Sequence, residues 1–257
     1  MSGLLLRLAG PLQSWGERSA FTAVRDTASF PTRSALIGLF AAAEGIRRGD
    51  DLARYSDLRI TVRVDRSGVR LVDYHTVGGG LPKERTAATA GGSNKGAAVI
   101  TRRHYLADAV FVVAVSGPEP DITRLARALR RPHWAPYLGR RSCLPDEPFL
   151  LGGPVHDAEE ELRTRVPLSR PAPAGRDDAT VPVEFLYEHR PFARAGQGVD
   201  TLTVNDAPVT FAQHGRIHGV RHVYRAIESL PRSLTGPQHS LMQRLVDYAQ
   251  SHEEHRV

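Results

Sequence analysis

Cysteine is nearly absent from this 257-residue chain, in which Cys143 is the only one. A single cysteine excludes an internal disulfide framework and any zinc site with several cysteine ligands. No apolar run approaches the roughly 20 residues that span a bilayer, and the chain has no Walker loop, nucleophile elbow or dinucleotide-binding fingerprint. We therefore expect a soluble, cytoplasmic protein that has no membrane partner and no cofactor.

Lysine is also scarce, because only Lys83 and Lys95 occur and arginine supplies the remaining positive charge. Residues 1–143 contain 22 Lys and Arg against 12 Asp and Glu, whereas residues 144–257 contain 12 against 16. The net charge of +6 therefore combines +10 in the first part with −4 in the second. Such a concentrated basic excess favours a polyanion partner, and planar guanidinium groups suit phosphates and base edges. The alternative is that these residues form ordinary solvated surfaces.

The apolar pattern predicts an α+β domain in the first part of the chain. The predicted elements are a strand at 4–8, a helix at 33–47, a hairpin of strands 58–64 and 69–77, a strand at 109–115 and a helix at 121–131. This order is typical of a ferredoxin-like or RRM-like fold. In the hairpin's first strand, Ile60 and Val62 alternate with Thr61 and Arg63, which indicates a half-buried strand.

The remaining sequence predicts an insertion and a smaller β-rich region. Residues 78–96 are glycine-rich and lack an apolar period, which favours a protruding loop or a long hairpin. After Cys143 the chain becomes proline-rich, and residues 170–178 are interpreted as a linker or exposed loop. Strands are predicted at 181–187, 201–204 and 220–227, and a helix at 237–252. We therefore expect two domains, residues 1–145 and 146–257.

Two motifs near the start place residues that suit RNA. GPLQSWG, residues 10–16, follows the first strand, and its Trp15 can either stack on a base or pack in the core. FPTRSALIG, residues 30–38, places Arg33 and Ser34 in the first turn of a helix, where unpaired amides attract phosphate. Because a cation is unfavourable at that end of a helix, Arg33 either binds an external anion or points into solvent.

A third motif, YLGRRSC at residues 137–143, follows a glycine with two arginines. Arg140 and Arg141 suit a phosphate clamp, since each guanidinium can donate two parallel hydrogen bonds. The alternative is that one of them pairs with a carboxylate such as Asp146 and stabilises the fold.

A fourth motif, DYHTV at residues 73–77, contains Tyr74 and His75, which could assist acid–base cleavage of RNA. Alternation along a strand directs these two side chains to opposite faces, which weakens a catalytic interpretation. Three histidines at positions 214, 218 and 222 would align as metal ligands on a helix. The glycines and valines around them indicate strand and turn instead, so we predict no metal site.

Together these four motifs resemble, in order, those of the CasD family of the type I-E CRISPR surveillance complex (Cascade), within the RAMP superfamily. The resemblance covers residues 4 to about 143 well and the rest only loosely. It implies a non-catalytic RNA-binding subunit that holds the 5′ handle of the CRISPR RNA and caps the filament of backbone subunits. It also implies a position beside the large subunit that helps to recognise target DNA, and an RRM-like domain with an inserted thumb hairpin.

The resemblance also implies roles for particular residues. The candidates for binding the RNA are Trp15, Arg33, Ser34, Arg102, Arg103, Arg140 and Arg141. The thumb, at about 78–105, would contact the neighbouring backbone subunit through Lys83, Arg85 and Lys95. A sibling branch of the superfamily cuts precursor CRISPR RNA. The alternative function is therefore a metal-independent endoribonuclease that uses Tyr74, His75 and His104.

Overall fold

In the described part of the chain, more residues lie in β-strands than in α-helices. The computed structural model describes residues 2–16, 23–86, 88, 92–94, 96–171, 179–191, 198–212 and 216–252. Its strands are β1 (Ser2–Ala9), β2 (Leu12–Gln13), β3 (Val24–Arg25), β4 (Arg59–Arg66), β5 (Val69–Val77), β6 (Val99–Ala107), β7 (Val110–Gly117), β8 (Leu150–Val155), β9 (Thr180–Tyr187), β10 (Val199–Thr210) and β11 (Ile217–Pro231). Its α-helices are α1 (Arg33–Glu44), α2 (Glu119–Arg130), α3 (Ala158–Thr164) and α4 (Leu241–Ser251).

A large antiparallel sheet organises the described residues, in the order β10-β11-β9-β4-β7-β1-β8. The part β4-β7-β1-β8, with α1 after β1 and α2 after β7, has the strand order of a ferredoxin-like fold. The predicted α+β class is therefore confirmed. Strands from both sides of residue 145 hydrogen-bond in this sheet, because β1 pairs with β8 and β4 pairs with β9.

The centre of the large sheet, at β1 and β7, is buried on both faces. Leu4 and Leu6 of β1 pack in one apolar cluster with residues of α1 and α2. Leu5, between them, packs in a second cluster with residues of α3 and α4. Successive side chains of a strand point to opposite faces, so β1 contributes to both cores. This explains why its sequence has consecutive leucines rather than a regular polar alternation.

The helices α1 and α4 are shorter than the sequence predicts. α1 ends at Glu44 because Gly45 adopts a left-handed conformation, with φ of 74°, and its amide hydrogen-bonds to the carbonyls of Ala41 and Ala42. α4 begins at Leu241, after a single 3₁₀ turn at Gln238–Ser240.

The predicted hairpin of residues 58–77 is wrong. β4 pairs with β7 and β9, whereas β5 pairs antiparallel with β6 in a separate small sheet. At the turn before β5, a side chain on Gly68 would place its Cβ 2.6 Å from the carbonyl oxygen of Ala107, which only glycine avoids. The β5–β6 hairpin is thus inserted between β4 and β7, with residues 78–98 joining its two strands.

The polar side of β4 is buried rather than solvent-exposed. Arg63 and Asp65 are almost fully buried, and Arg63 donates two hydrogen bonds to Asp65, of 2.7 and 3.0 Å. The same guanidinium donates to the carbonyls of Leu162, Val166 and Pro167, at 2.6–3.0 Å. The alternation of apolar and polar residues therefore predicted the strand β4 correctly. Its prediction of an exposed polar face was wrong, because α3 and the segment after it cover that face.

We predict that Arg63→Ala lowers the free energy of unfolding by about 3–5 kcal/mol, because it removes the positive partner of the buried Asp65 carboxylate and the donor to three carbonyls. Arg59→Ala is the matched control, since Arg59 lies on the same strand and is exposed. We expect that control to change stability by less than about 0.5 kcal/mol. Equal losses in urea denaturation of the two variants would contradict a structural role for the Arg63 network.

Candidate nucleic-acid interface

The GPLQSWG motif forms a buried turn, and Trp15 is fully buried within it. Its indole nitrogen donates to Gln13 Oε1 at 3.1 Å, and its backbone amide donates to Thr27 Oγ1 at 2.8 Å. The Gln13 amide nitrogen in turn donates to the carbonyls of Leu8 and Ala109. The expected stacking of Trp15 on a base is therefore wrong, because the ring already packs in the core and offers no exposed face.

The first turn of α1 is occupied by an anion from the protein itself. The backbone amide of Arg33 donates to Asp206 Oδ2 at 2.7 Å. The Arg33 guanidinium pairs with Glu188 and donates to the carbonyls of Tyr55 and Leu58. The expectation that Arg33 binds an external phosphate is therefore wrong, since both of its donor groups already have partners. Ser34 lies in the same turn, with its hydroxyl 3.4 Å from Thr32 Oγ1.

Arg221 completes this charge network. Its guanidinium donates to both oxygens of Asp206, at 2.5 and 2.9 Å, and lies 3.2 Å from Glu188. Burial by itself lowers the pKa of Arg221, but its hydrogen bond to Asp206 and the charge of Glu188 outweigh burial and raise that pKa. The network joins α1 to β10 and β11, and no local sequence pattern connects residue 33 with residues more than 150 positions away.

The small sheet has β6 at its centre. β5 pairs with one edge of β6, while the short strands β2 and β3 pair with the other. Cross-strand partners share a face of a sheet, and neighbours along a strand do not. Arg25 is opposite Arg103 in the register, so both lie on one face, whereas Arg102 lies on the other face with Tyr74. Arg102 and Arg103 therefore do not contact one ligand surface together.

A third arginine reaches the face that carries Arg25 and Arg103. The Arg140 guanidinium carbon lies 4.5 Å from the centroid of the Tyr105 ring, and Nη2 donates to the carbonyl of Arg25 at 3.1 Å. This geometry is a cation–π contact. We name Arg25, Arg103, Tyr105 and Arg140 the arginine face. Sequence reasoning missed Arg25 and Tyr105, since only the strand register brings them beside the two predicted arginines.

The YLGRRSC segment packs directly against the GPLQSWG turn. Gly139 has φ of 85°, and a Cβ there would lie 1.7 Å from the carbonyl oxygen of Ser14, so no other residue fits without backbone movement. This contact holds Arg140 half-buried at the arginine face and leaves Arg141 exposed beside it. Among the ion pairs of the described residues, none joins Arg140 or Arg141 to Asp146 or to another carboxylate.

The residues of the endoribonuclease alternative are divided between the two faces of the small sheet. His75 lies on the side of Arg103, with Nε2 3.4 Å from Asp73 Oδ2. Tyr74 lies on the opposite side, as alternation predicts, and shares that side with His104.

The connection between β5 and β6 carries the predicted partner-contact residues. Lys83 and Arg85 lie in a 3₁₀ turn, Lys83–Arg85, and both are exposed. Lys95 lies outside the described residues.

Within the part of the chain that the structure describes, no three His, Cys, Asp or Glu side chains are grouped so that they could hold a metal ion. His214, one of the three spaced histidines, lies outside that part. None of the described helices is both long and apolar enough to cross a membrane.

Comparison with known proteins agrees with the resemblance found in the sequence. The sequence model of a family described as CRISPR-associated protein (Cas_Cas5) matches residues 3–224. The CRISPR system Cascade subunit CasD of Escherichia coli (strain K12) is 40% identical over 165 residues, which cover 59% of this chain and 70% of CasD.

Two solved structures are similar over nearly the whole chain. A chain of a structure titled "CRISPR RNA-guided surveillance complex" is 47% identical with a TM-score of 0.88, and the match covers 97% of this chain and 100% of that one. A structure titled "Crystal structure of Cas protein" is 30% identical with a TM-score of 0.60, and the match covers 91% and 97% of the two chains. This protein therefore belongs to the Cas_Cas5 family of CRISPR-associated proteins, which confirms the predicted kinship with CasD.

Proposed function

We propose that this protein is a non-catalytic RNA-binding subunit of a CRISPR surveillance complex, and that it binds the 5′ handle of the CRISPR RNA at the arginine face. In this role it caps the filament of backbone subunits and lies beside the large subunit, near the target DNA. The observation that carries the proposal is the grouping of three arginines and a tyrosine on one face of the small sheet. The similarity to a Cascade subunit and to a chain of an RNA-guided surveillance complex supports the same assignment.

The arginine face has the electrostatic character that single-stranded RNA requires. Arg25, Arg103 and Arg140 bring three positive charges together, and Arg141, the next residue after Arg140, is exposed. Asp73 is the cross-strand neighbour of Arg103, but its carboxylate lies against His75. Phosphates can approach these positive charges, and the planar guanidinium groups can also stack on bases.

The hairpin of β5 and β6 supplies the second part of the proposed function. It leaves the large sheet and carries the exposed cations Lys83 and Arg85 in its connection. We assign to this hairpin the role of a thumb that contacts the neighbouring backbone subunit, with Lys95 as a further contact residue.

One observation favours endoribonuclease activity as a second candidate function. Tyr74, Arg102 and His104 share a face of the small sheet, so a phenol, a guanidinium and an imidazole lie near one another. Such groups can assist attack of a 2′-hydroxyl on the adjacent phosphate without a metal. We favour the non-catalytic function, because Tyr74 is 61% exposed on an edge strand, where water has free access to it.

We predict that the double variant Arg103→Ala/Arg141→Ala binds handle RNA tens-fold more weakly, with an unchanged melting temperature. Neither side chain anchors the core, since Arg141 is exposed and the only side-chain hydrogen bond of Arg103 among the described residues is to Thr101 Oγ1, at 3.4 Å. With about three phosphates bound, the logarithm of affinity should fall with the logarithm of salt at a slope near −2, and each lost contact should reduce that slope by about 0.7.

The matched control for this measurement is Arg127→Ala, which removes an exposed arginine of α2. It should leave both the affinity and the salt slope unchanged. A flat salt dependence of the unmodified protein, or an equal loss of affinity in the control, would refute RNA binding at the arginine face. Arg141→Lys should retain part of the affinity, because lysine keeps the charge without the planar fork.

We predict that the isolated protein does not cut repeat RNA in the presence of a chelator. Gel analysis of end-labelled repeat RNA after prolonged incubation measures this directly. Cleavage at one position that His104→Ala abolishes, and that His75→Ala on the opposite face leaves intact, would instead establish the endoribonuclease function.

A further inference from the structure

The outer edge of β5 has no partner strand among the described residues. β5 pairs with β6 along Val69–Val77, and no other strand pairing or isolated bridge involves it. The pairing has no register shift over its nine residue pairs. A regular edge strand of this length is a template for a further strand, because half of its backbone donors and acceptors face outward.

The opposite edge of β6 identifies which groups of β5 face outward. The amide of Arg102 donates to the carbonyl of Ala23 at 2.8 Å, so the backbone polar groups of Arg102 point away from β5. Arg102 is opposite Tyr74 in the register, and this pair is therefore of the kind that exchanges no hydrogen bonds. The amide and carbonyl of Tyr74 consequently point to the free edge.

A second contact confirms which backbone groups of β5 point to the free edge. The carbonyl of His104 accepts a hydrogen bond from Ser14 Oγ at 3.1 Å, on the side away from β5. His104 is opposite Val72, so the backbone groups of Val72 also face outward. By alternation, those of Arg70 and Thr76 do so as well, whereas Leu71, Asp73 and His75 bond to β6.

The other long sheet edges have features that oppose strand addition, and β5 does not. The pairing of β10 with β11 has two register shifts, and β10 contains Pro208. The pairing of β8 with β1 is also irregular, and β8 contains Pro154. Bulges and prolines protect edges from unwanted pairing, whereas β5 has no proline or glycine in its nine residues.

The side chains of β5 are also those of a strand that packs against a partner. Val69, Val72 and Tyr74 are 72%, 54% and 61% exposed, and Leu71 and Val77 are exposed as well. These apolar groups occupy both faces of the strand, so an added strand would cover apolar surface above and below the backbone ladder.

We propose that β5 accepts an extended strand of a protein partner along this edge, through the outward amides and carbonyls of residues 70, 72, 74 and 76. The partner strand has apolar side chains on both faces and a cationic side chain opposite Asp73. A second copy of this chain is disfavoured, because antiparallel self-pairing of all nine residues would place Asp73 against Asp73. The identity of the partner, the neighbouring backbone subunit, rests on the proposed function.

Residue-resolved hydrogen exchange tests this proposal on the full-length protein, alone, with handle RNA, and in complex with its co-expressed backbone subunit and RNA. The amides of residues 72, 74 and 76 should exchange rapidly in the protein alone and at least about tenfold more slowly in the complex. The amides of residues 71, 73 and 75 should be slow throughout, since they bond to β6.

The alternative occupants give different patterns. Slow exchange at residues 72, 74 and 76 with RNA alone would mean that RNA covers the edge, and a concentration-dependent slowing in the protein alone would indicate self-association. Either result overturns the proposal. If the protein binds RNA and joins the complex while these amides still exchange rapidly, the proposal of strand addition is overturned. The proposed function is then left intact. A chain that neither binds handle RNA nor joins the complex overturns both.

Val72→Pro provides an independent test, because the Val72 amide is not part of the β5–β6 ladder and proline removes only an outward donor. Affinity for the backbone subunit should fall about fivefold or more, while affinity for handle RNA is unchanged. Val72→Thr is the matched control, since it keeps the amide and the branched side chain, and should bind as the unmodified protein does. Equal loss of affinity in both variants would assign the effect to the side chain and overturn strand addition.

Discussion

Pairing of β6 on both of its edges is the constraint on which the candidate interface depends. Backbone groups of Arg102 and His104 bond toward the β2 and β3 side, which leaves the residues between them to bond with β5. The strand register also decides to which face each side chain points. It places Arg103 and Tyr105 on the same face as Arg25 and Arg140. The alternation of residues along β6 thus determines both the members of the arginine face and the backbone groups of β5 that point to the free edge.

Net charge is a poor guide to where RNA can bind, because many arginines are neutralised inside the fold. Arg33, Arg63 and Arg221 each contact a carboxylate and are largely buried. They stabilise the packing of α1 and α3 against the long strands. Because their charges are neutralised, they contribute little to the electrostatic potential at the surface. The basic surface proposed to bind RNA is the arginine face, beside the GPLQSWG turn. Even there, the aromatic of the motif is a core residue rather than a ligand contact.

Local patterns in the sequence predicted most of the ferredoxin-like strands and helices, since apolar periodicity reports burial along a single element. They failed wherever a distant segment decided the outcome. Strand β4 was expected to have one exposed face, but residues 162–169 cover it and supply partners to Arg63 and Asp65. Likewise, the charge at the start of α1 indicated an external anion, whereas in the folded chain Asp206 and Glu188 supply the carboxylates there. The relationship to CasD could be predicted from the sequence, because four motifs spread over more than 130 residues occur in the same order in both.

The two binding roles assigned to the small sheet are compatible because they use perpendicular directions. Side chains project above and below a sheet, whereas the hydrogen bonds of an added strand lie within its plane. RNA on the arginine face would therefore not compete with a strand along the edge of β5. An added strand would also extend the face that carries Arg103, so a partner residue beside β5 could reach the same RNA. Protein and RNA contacts would then stabilise one another through a shared, rigid hairpin, which gives a physical reason for inserting β5 and β6 between two strands of the core.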